Sequence, residues 1–277
     1  MSMLTRTQRI WDHRKVMVTL VRRDLRVRYA RSVLGYLWTL IDPLAMALVY
    51  WFVFGVIYQM RGIETSQGAP FVLFLLAGLL PWNWFNASIN ESARALYSER
   101  LLVRSTNIPR ELWVIRLVIS KGIEFLMSLP ILIAFMLFFR FGQNANPIEI
   151  HPERFLYWIP ATLLLFLLSV GIGLVMAPVT ALVDDFVRLV RIGLRMLFYL
   201  TPIVYSTQIL DDRAPWARTI QQFNPLTGIN DMFRQVFLTN AAPDWNAWIA
   251  AVAVSIAWVF FGMWVFRKLE PAVLKEI

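Results

Sequence analysis

The stretch Tyr157-Trp158-Ile159-Pro160-Ala161-Thr162-Leu163-Leu164-Leu165-Phe166-Leu167-Leu168-Ser169-Val170-Gly171-Ile172-Gly173-Leu174-Val175-Met176-Ala177-Pro178-Val179 runs for 23 residues without a charge. A helix rises 1.5 Å per residue, so a run of this size crosses a hydrocarbon core of about 30 Å. Gly171 and Gly173 within it permit close helix packing. Comparable runs lie on both sides. Leu37 to Ile57 holds one charge, Asp42. Phe71 to Ile89 is interrupted by Pro81, Trp82, Asn83 and Trp84, where a kink or local break is expected. Leu112 to Phe139 carries Arg116, Lys121 and Glu124 near its start and Pro130 later, so its lipid-spanning part begins near Ile123. Trp248 to Phe266 is the last run. A shorter one, Ile192 to about Ser206, contains Arg195 and Pro202 and makes a full span if its helix begins near Phe186. The expectation is an all-α polytopic membrane protein, one domain over 1–277, with spans at about 37–57, 71–89, 112–139, 157–179, 188–206 and 248–266.

Composition agrees. The chain is 58% hydrophobic and 16% charged, with mean hydropathy +0.56, where soluble domains carry about 25% charge. Its aromatic content excludes intrinsic disorder. The absence of cysteine excludes a disulfide scaffold, iron–sulfur clusters and Cys-ligated zinc, and two histidines, His13 and His151, exclude a His-rich metal site. The start lacks the apolar core of a signal peptide before residue 37. Lys and Arg alternate between loops: nine before the first run, five after the second, three after the fourth and three in the tail, against one, two and three in the other loops. That bias predicts both termini in the cytoplasm. It also accounts for the net charge of +9 without a nucleic-acid partner.

No motif for covalent chemistry is present: no GxxxxGK[ST], HExxH or GxSxG. Asp184-Asp185 reads as a capped helix start. Asp42 reads either as the cap of a helix restarted at Pro43 or as a proton-relay carboxylate. Lys15 to Val27 places Val16, Met17, Leu20, Val21 and Leu25 on one helical face and Arg22, Arg23 and Arg26 on the other, an amphipathic interfacial helix within a cytoplasmic start over 1–36. Arg94 to Arg110 mixes Leu96, Leu101, Leu102 and Val103 with Arg94, Glu99, Arg100 and Arg104. It is either a loop cap lying flat or a docking surface for a soluble partner that supplies the missing energy source. Arg188, Arg191 and Arg195 fall on one helical face, serving topology or contacting a diphosphate through bidentate guanidinium bonds. Aromatics near span ends, among them Trp38, Trp158, Trp245 and Trp248, suit an interfacial belt. Two sets, Tyr50, Trp51, Phe52, Phe54 and Phe71, Phe74, Trp82, Trp84, Phe85, suit the apolar faces of sugars.

The pattern Leu20-Val21-Arg22-Arg23-Asp24-Leu25-Arg26-Val27-Arg28-Tyr29, then Ser32-Val33-Leu34-Gly35-Tyr36-Leu37-Trp38 and Pro43-Leu44, resembles the amino-terminal signature of membrane subunits of ABC-type polysaccharide exporters, the permeases for O-antigen, teichoic acid and capsular polymers. Asn107-Ile108-Pro109-Arg110-Glu111, Asp185-Phe186, Tyr199-Leu200-Thr201-Pro202-Ile203-Val204-Tyr205-Ser206, Asn224-Pro225-Leu226-Thr227-Gly228 and Phe233-Arg234 extend the likeness, in order, over nearly the whole chain. The resemblance implies a homodimer of six-span subunits with a pore between them, bound to two copies of a separate ATPase that carries ATP and Mg, with no cofactor on this chain. It implies an undecaprenyl-diphosphate-linked polysaccharide moved across the cytoplasmic (inner) membrane. It assigns Arg94 to Thr106 (Arg94, Leu96, Glu99, Arg100, Leu101, Arg104) to an ATPase coupling helix. It assigns Arg22, Arg23, Arg26, Arg28 and Tyr29 to the lipid-carrier entrance, Ala214 to Phe237 to outer gate helices, and Tyr50, Trp51, Phe54, Phe74, Trp82, Trp84, Phe85 and Tyr199 to the sugar channel. Export of small lipids or drugs by the same architecture is the alternative. A membrane glycosyltransferase is a further one, disfavoured by the scatter of Asp211, Asp212, Asp231 and Asp244.

Overall fold

Long apolar runs bounded by basic or Pro-containing segments become helices because hydrocarbon leaves backbone amides no partner but one another. The computed structural model describes residues 3–30, 32–50, 52–53, 57, 70–141, 148–207, 209–210, 214–238 and 242–276, with backbone alone at 3–5 and 7. Helices α1 (Met3–Asp12) and α2 (Arg14–Tyr29) precede a tight turn, in which Gly35 at φ 48° donates its N–H to Ser32 Oγ at 3.0 Å. Then follow α3 (Trp38–Tyr50), α4 (Phe71–Ser92), the short α5 (Ala95–Ser98) and α6 (Arg100–Ser105), α7 (Glu111–Phe141), α8 (Trp158–Leu182), α9 (Phe186–Leu200), α10 (Pro215–Gln222), α11 (Pro225–Arg234) and α12 (Trp245–Glu276).

Among the described residues four helices are long and apolar enough to cross a membrane: α4, α7, α8 with the 3-10 turn before it, and α12. The chain is therefore an all-α polytopic membrane protein. The apolar window of α4 is 78% buried, against 28% in α7 and 22% in α12, so α4 is the central helix and the other two form walls. The remaining expected spans are short. The 13 residues of α3 reach about 20 Å and the 15 of α9 about 22 Å.

Several boundaries depart from expectation. Of the kink or local break expected around Pro81, the break does not occur: α4 runs as one helix through that buried proline. Asp42 does not cap a restarted helix, because α3 begins at Trp38 and continues through Pro43. Asp185 holds the N-cap position of α9 without a side-chain bond to the backbone. Helix α9 ends at Leu200 rather than Ser206. Pro202 forces Thr201 into extended geometry (φ −83°, ψ 138°), and the chain turns away. Asn224 caps α11 by accepting from Leu226 N at 3.1 Å, with Pro225 at the first helical position.

Close packing uses the glycines. A methyl at Gly171 would lie 2.5 Å from the Trp258 carbonyl carbon, and one at Gly173 would lie 2.9 Å from Ser92 Oγ. Only bare backbones let α8 approach α12 and α4 this closely. The short α11 is buried along Leu226–Asn230 and Met232–Arg234 against α4, α8 and α12. Trp158 Nε1 donates to Phe233 O (3.1 Å) and Trp248 Nε1 to Asp231 Oδ2 (2.8 Å), so these two indoles anchor α11 rather than serve a belt. Trp38 and Trp245 are exposed, as a belt requires.

Candidate functional site: a polar groove above a charged crevice

One end of the bundle gathers α1, α2, α5, α6, the start of α7 and the end of α12. Arg6 ties it together, donating to Glu111 on α7 and to Glu270 on α12 (2.7 Å). Burial alone would lower the Arg6 pKa, but the two carboxylates raise it above the ordinary value. Deeper in, Arg116 on α7 is 3% exposed and pairs with Asp24 on α2 and, at 3.2 Å, with Glu99 between α5 and α6. Arg23 reaches Asp24 at 3.3 Å and also holds Glu99. A second cluster joins Arg28 to Glu91 (2.8 Å) and Glu124, with Lys121 at 3.2 and 3.0 Å from the same two carboxylates. Burial opposes the Arg28 charge, yet the carboxylates hold its pKa above normal. Burial and Glu124 together push the Tyr29 hydroxyl up, so it stays protonated. Its ring lies 4.2 Å from that of Tyr36.

These clusters border a crevice of about 750 Å³ lined by residues of α2, α4, α5, α7 and α9, including Arg28, Asn90, Glu91, Arg94, Arg116 and Arg191. A second cavity of about 400 Å³ shares Asn90 and Arg191 with it and runs on between α3, α4 and α9. There Asn83, Asn86 and Asn90, one helical turn apart on α4, face Arg191, Arg195, Tyr50, Trp82, Phe198 and Tyr199. Asn90 Nδ2 donates to Asn86 Oδ1 at 3.0 Å, while Asn83 is exposed. Amides and guanidinium groups at this depth are expensive in lipid unless they face a watery or polar space.

The expected site residues divide accordingly. Tyr50, Trp82 and Tyr199 line the groove. Phe74, Trp84 and Phe85 are buried within the bundle. Trp84 stacks on Phe125 at 5.0 Å and donates to Val118 O at 3.0 Å, and Phe74 lies under Arg234. Trp51 and Phe54 fall outside the described residues. Arg191 and Arg195 enter the groove, whereas Arg188 pairs loosely with Asp185 at 3.7 Å on the surface. Arg22 and Arg26 are exposed, while Arg23 and Arg28 are engaged in ion pairs. In the expected coupling segment Leu96 is buried, Leu101 is 79% exposed, Arg100 and Arg104 are exposed, and Arg94 is exposed at the edge of the crevice.

Two features are hidden from hydropathy. The asparagine ladder repeats at helical spacing, a signal that was available. Arg234 counts as a loop charge, yet it is buried. It donates to the carbonyls of Phe74 (3.3 Å), Pro202 (2.7 Å) and Ile203 (2.8 Å) and sits 3.5 Å over the Phe74 ring. It pins α11 to the turn that ends α9. Gly78 makes room for it, since a methyl there would lie 2.5 Å from Arg234 Nη2. Asp42 lines a separate small cavity with Lys121 and Glu124. Among the described residues no cluster fit to hold a metal is found.

The sequence pattern of the family described as "ABC-2 type transporter" matches residues 15–238. The chain is 27% identical over 256 residues to the O-antigen export system permease protein RfbA of Klebsiella pneumoniae, covering 92% of each. It is 26% identical over 278 residues to the protein of that name from Myxococcus xanthus, covering 99% of this chain and all of the relative. To the polysialic acid transport protein KpsM of Escherichia coli it is 25% identical over 253 residues, 91% of this chain and 92% of the relative.

Proposed function

Because the chain belongs to the ABC-2 type transporter family of membrane permeases, we propose that it is the membrane subunit of an ATP-driven exporter. Its cargo is a polysaccharide carried on undecaprenyl diphosphate, moved across the cytoplasmic membrane. The relatives named for O-antigen and polysialic acid transport support a polysaccharide cargo. In this reading six spans include α3 and α9, both termini face the cytoplasm, and two copies enclose a pore. Two copies of a separate ATPase dock on α5 and α6.

The observation that carries the reading is the groove. Asn83, Asn86 and Asn90 supply hydrogen bonds, while Tyr50, Trp82 and Tyr199 supply flat rings for sugar faces. A small apolar lipid or drug has no use for an asparagine ladder. Exposed apolar residues on α9, among them Leu189, Ile192 and Met196, give a surface for the second copy. At the cytoplasmic end Arg22, Arg23, Arg26, Arg28 and Tyr29 frame the carrier's entrance, and Arg191 and Arg195 meet its diphosphate inside, with Arg188 at the rim. Arg94, Leu96, Glu99, Arg100, Leu101 and Arg104 form the coupling segment, and α10 and α11 the outer gate.

The test is copurification of the chain with the ATPase encoded beside it, followed by polymer export in cells carrying Arg191→Gln with Arg195→Gln. A stable complex and lost export at normal expression is the expected result. Failure of any ATPase to bind, or unimpaired export by the double variant, overturns the reading or the diphosphate contact respectively.

A further inference from the structure

The 750 Å³ crevice is lined by five arginines, Arg23, Arg28, Arg94, Arg116 and Arg191, against three carboxylates, Asp24, Glu91 and Glu99. Each carboxylate is already engaged. Asp24 and Glu99 are held by Arg23 and Arg116, and Glu91 by Arg28 and Lys121. Two cations are left over. Arg94 and Arg191 are exposed, and among the described residues their guanidinium groups make no ion pair or hydrogen bond, yet both line the same cavity. Like charges sharing a partly enclosed space repel, and an anion between them removes that repulsion. Two planar guanidinium forks match two phosphoryl groups, each accepting paired N–H bonds.

We infer that this crevice is a diphosphate-binding site spanning Arg94 and Arg191, and that its occupancy is read by the ATPase-docking segment. The inference deepens the exporter reading and rests on it. Arg94 is the residue immediately before α5, at its N-cap position, and Arg191 lies in the second turn of α9. A diphosphate held by both therefore ties the helix that lines the groove to the segment proposed to meet the ATPase. Asn90, shared by crevice and groove, marks where a sugar attached to that diphosphate continues upward. Arg94 thereby acts as a loading sensor: an empty crevice leaves α5 free of α9, and a filled one couples them.

Binding to the full-length chain in detergent tests the site without the ATPase. The probes are farnesyl diphosphate, inorganic pyrophosphate and phosphatidylglycerol vesicles. Arg94→Gln and Arg191→Gln should each weaken farnesyl diphosphate binding about tenfold, the loss of one charge-assisted contact. Arg94→Lys should recover most of it, and Arg14→Gln, an exposed α2 cation outside the crevice, should bind as the parent does. Preference for the prenylated probe over pyrophosphate assigns the site to a lipid headgroup, and equal affinity assigns it to a soluble diphosphate; either supports the site. In the complex, farnesyl diphosphate should raise ATP turnover, and Arg94→Gln should bring the stimulated-to-basal ratio to about one.

Unchanged binding in both Gln variants overturns the inference, as does displacement by phosphatidylglycerol, which would make the crevice a general anionic-lipid contact. So does an Arg94→Gln chain that binds the probe normally but no longer copurifies with the ATPase, because Arg94 would then be a docking residue. If no ATPase joins the parent chain, the exporter reading fails, while the detergent binding assay still decides the anion site.

Discussion

Replacing Glu99 with Gln should uncouple ATP hydrolysis from export. Glu99 sits between α5 and α6, and its carboxylate accepts from Arg23 on α2 and from Arg116 on α7. A push on α6 therefore reaches α2 and α7 through this side chain as well as through the buried Ala95, Leu96 and Val103. Gln keeps the shape and one acceptor but removes the charge. Hydrogen bonds to charged groups contribute about 1.5–3 kcal/mol and neutral ones about 0.5–1.5. The Arg23 contact counts at the low end, because Arg23 is 36% exposed and solvent screens it. Arg116, 3% exposed, keeps Asp24 and so is not stranded. The net loss is about 1–2 kcal/mol, a factor of about five to thirty in the equilibrium linking the two parts. Polymer exported per ATP hydrolysed by the reconstituted complex should fall by that order while turnover itself persists. Thermal unfolding of the chain alone should show a loss of the same size. A double-mutant cycle with Arg23→Gln should return an interaction of about 1 kcal/mol. Additive losses, or an unchanged export-to-hydrolysis ratio, would refute this transmission route.

Other substitutions test other parts. Gly78→Ala sets a methyl 2.5 Å from Arg234 Nη2, whose side chain is fixed by three carbonyls; it should destabilise the detergent-solubilised chain by about 1–3 kcal/mol, read by thermal unfolding. Gly171→Leu should separate α8 from α12 and reduce the yield of folded protein, whereas Gly193→Ala, with open space around it, should not. Asn83→Leu with Asn86→Leu should reduce polymer export and leave ATPase copurification intact; full export would remove the ladder from the sugar path.

The long helices α4, α7, α8 and α12 are legible because one property, an uninterrupted apolar run, specifies each of them. Other features are not, because they depend on what a residue meets across the fold. Pro81 looks like a break, but burial of Leu79, Leu80, Trp82, Trp84 and Phe85 around it keeps the helix continuous past the missing N–H. Trp84 and Trp158 look like belt or sugar-facing rings, and each instead spends its N–H on a buried carbonyl. Arg116 and Arg234 count identically in a charge tally, one marking an inner loop and the other an outer loop. In the fold both are buried, the first neutralised by carboxylates from two other elements and the second solvated, its charge intact, by three carbonyls and a ring. The same reasoning separates the groove from the core. A residue type suited to sugar becomes available to sugar only where the neighbouring helix stops short of covering it. Because α9 meets α4 here with Arg191 and Arg195 as well as with Leu194 and Phe198, Asn83 and Asn86 keep an open side, while the Trp82 ring is covered by Phe198 at 5.4 Å. Filling that gap with a bulky ring at the exposed Asn83, as Asn83→Trp, should therefore block polymer passage while leaving ATPase copurification intact, and a variant that exports normally would show that the groove is not the path.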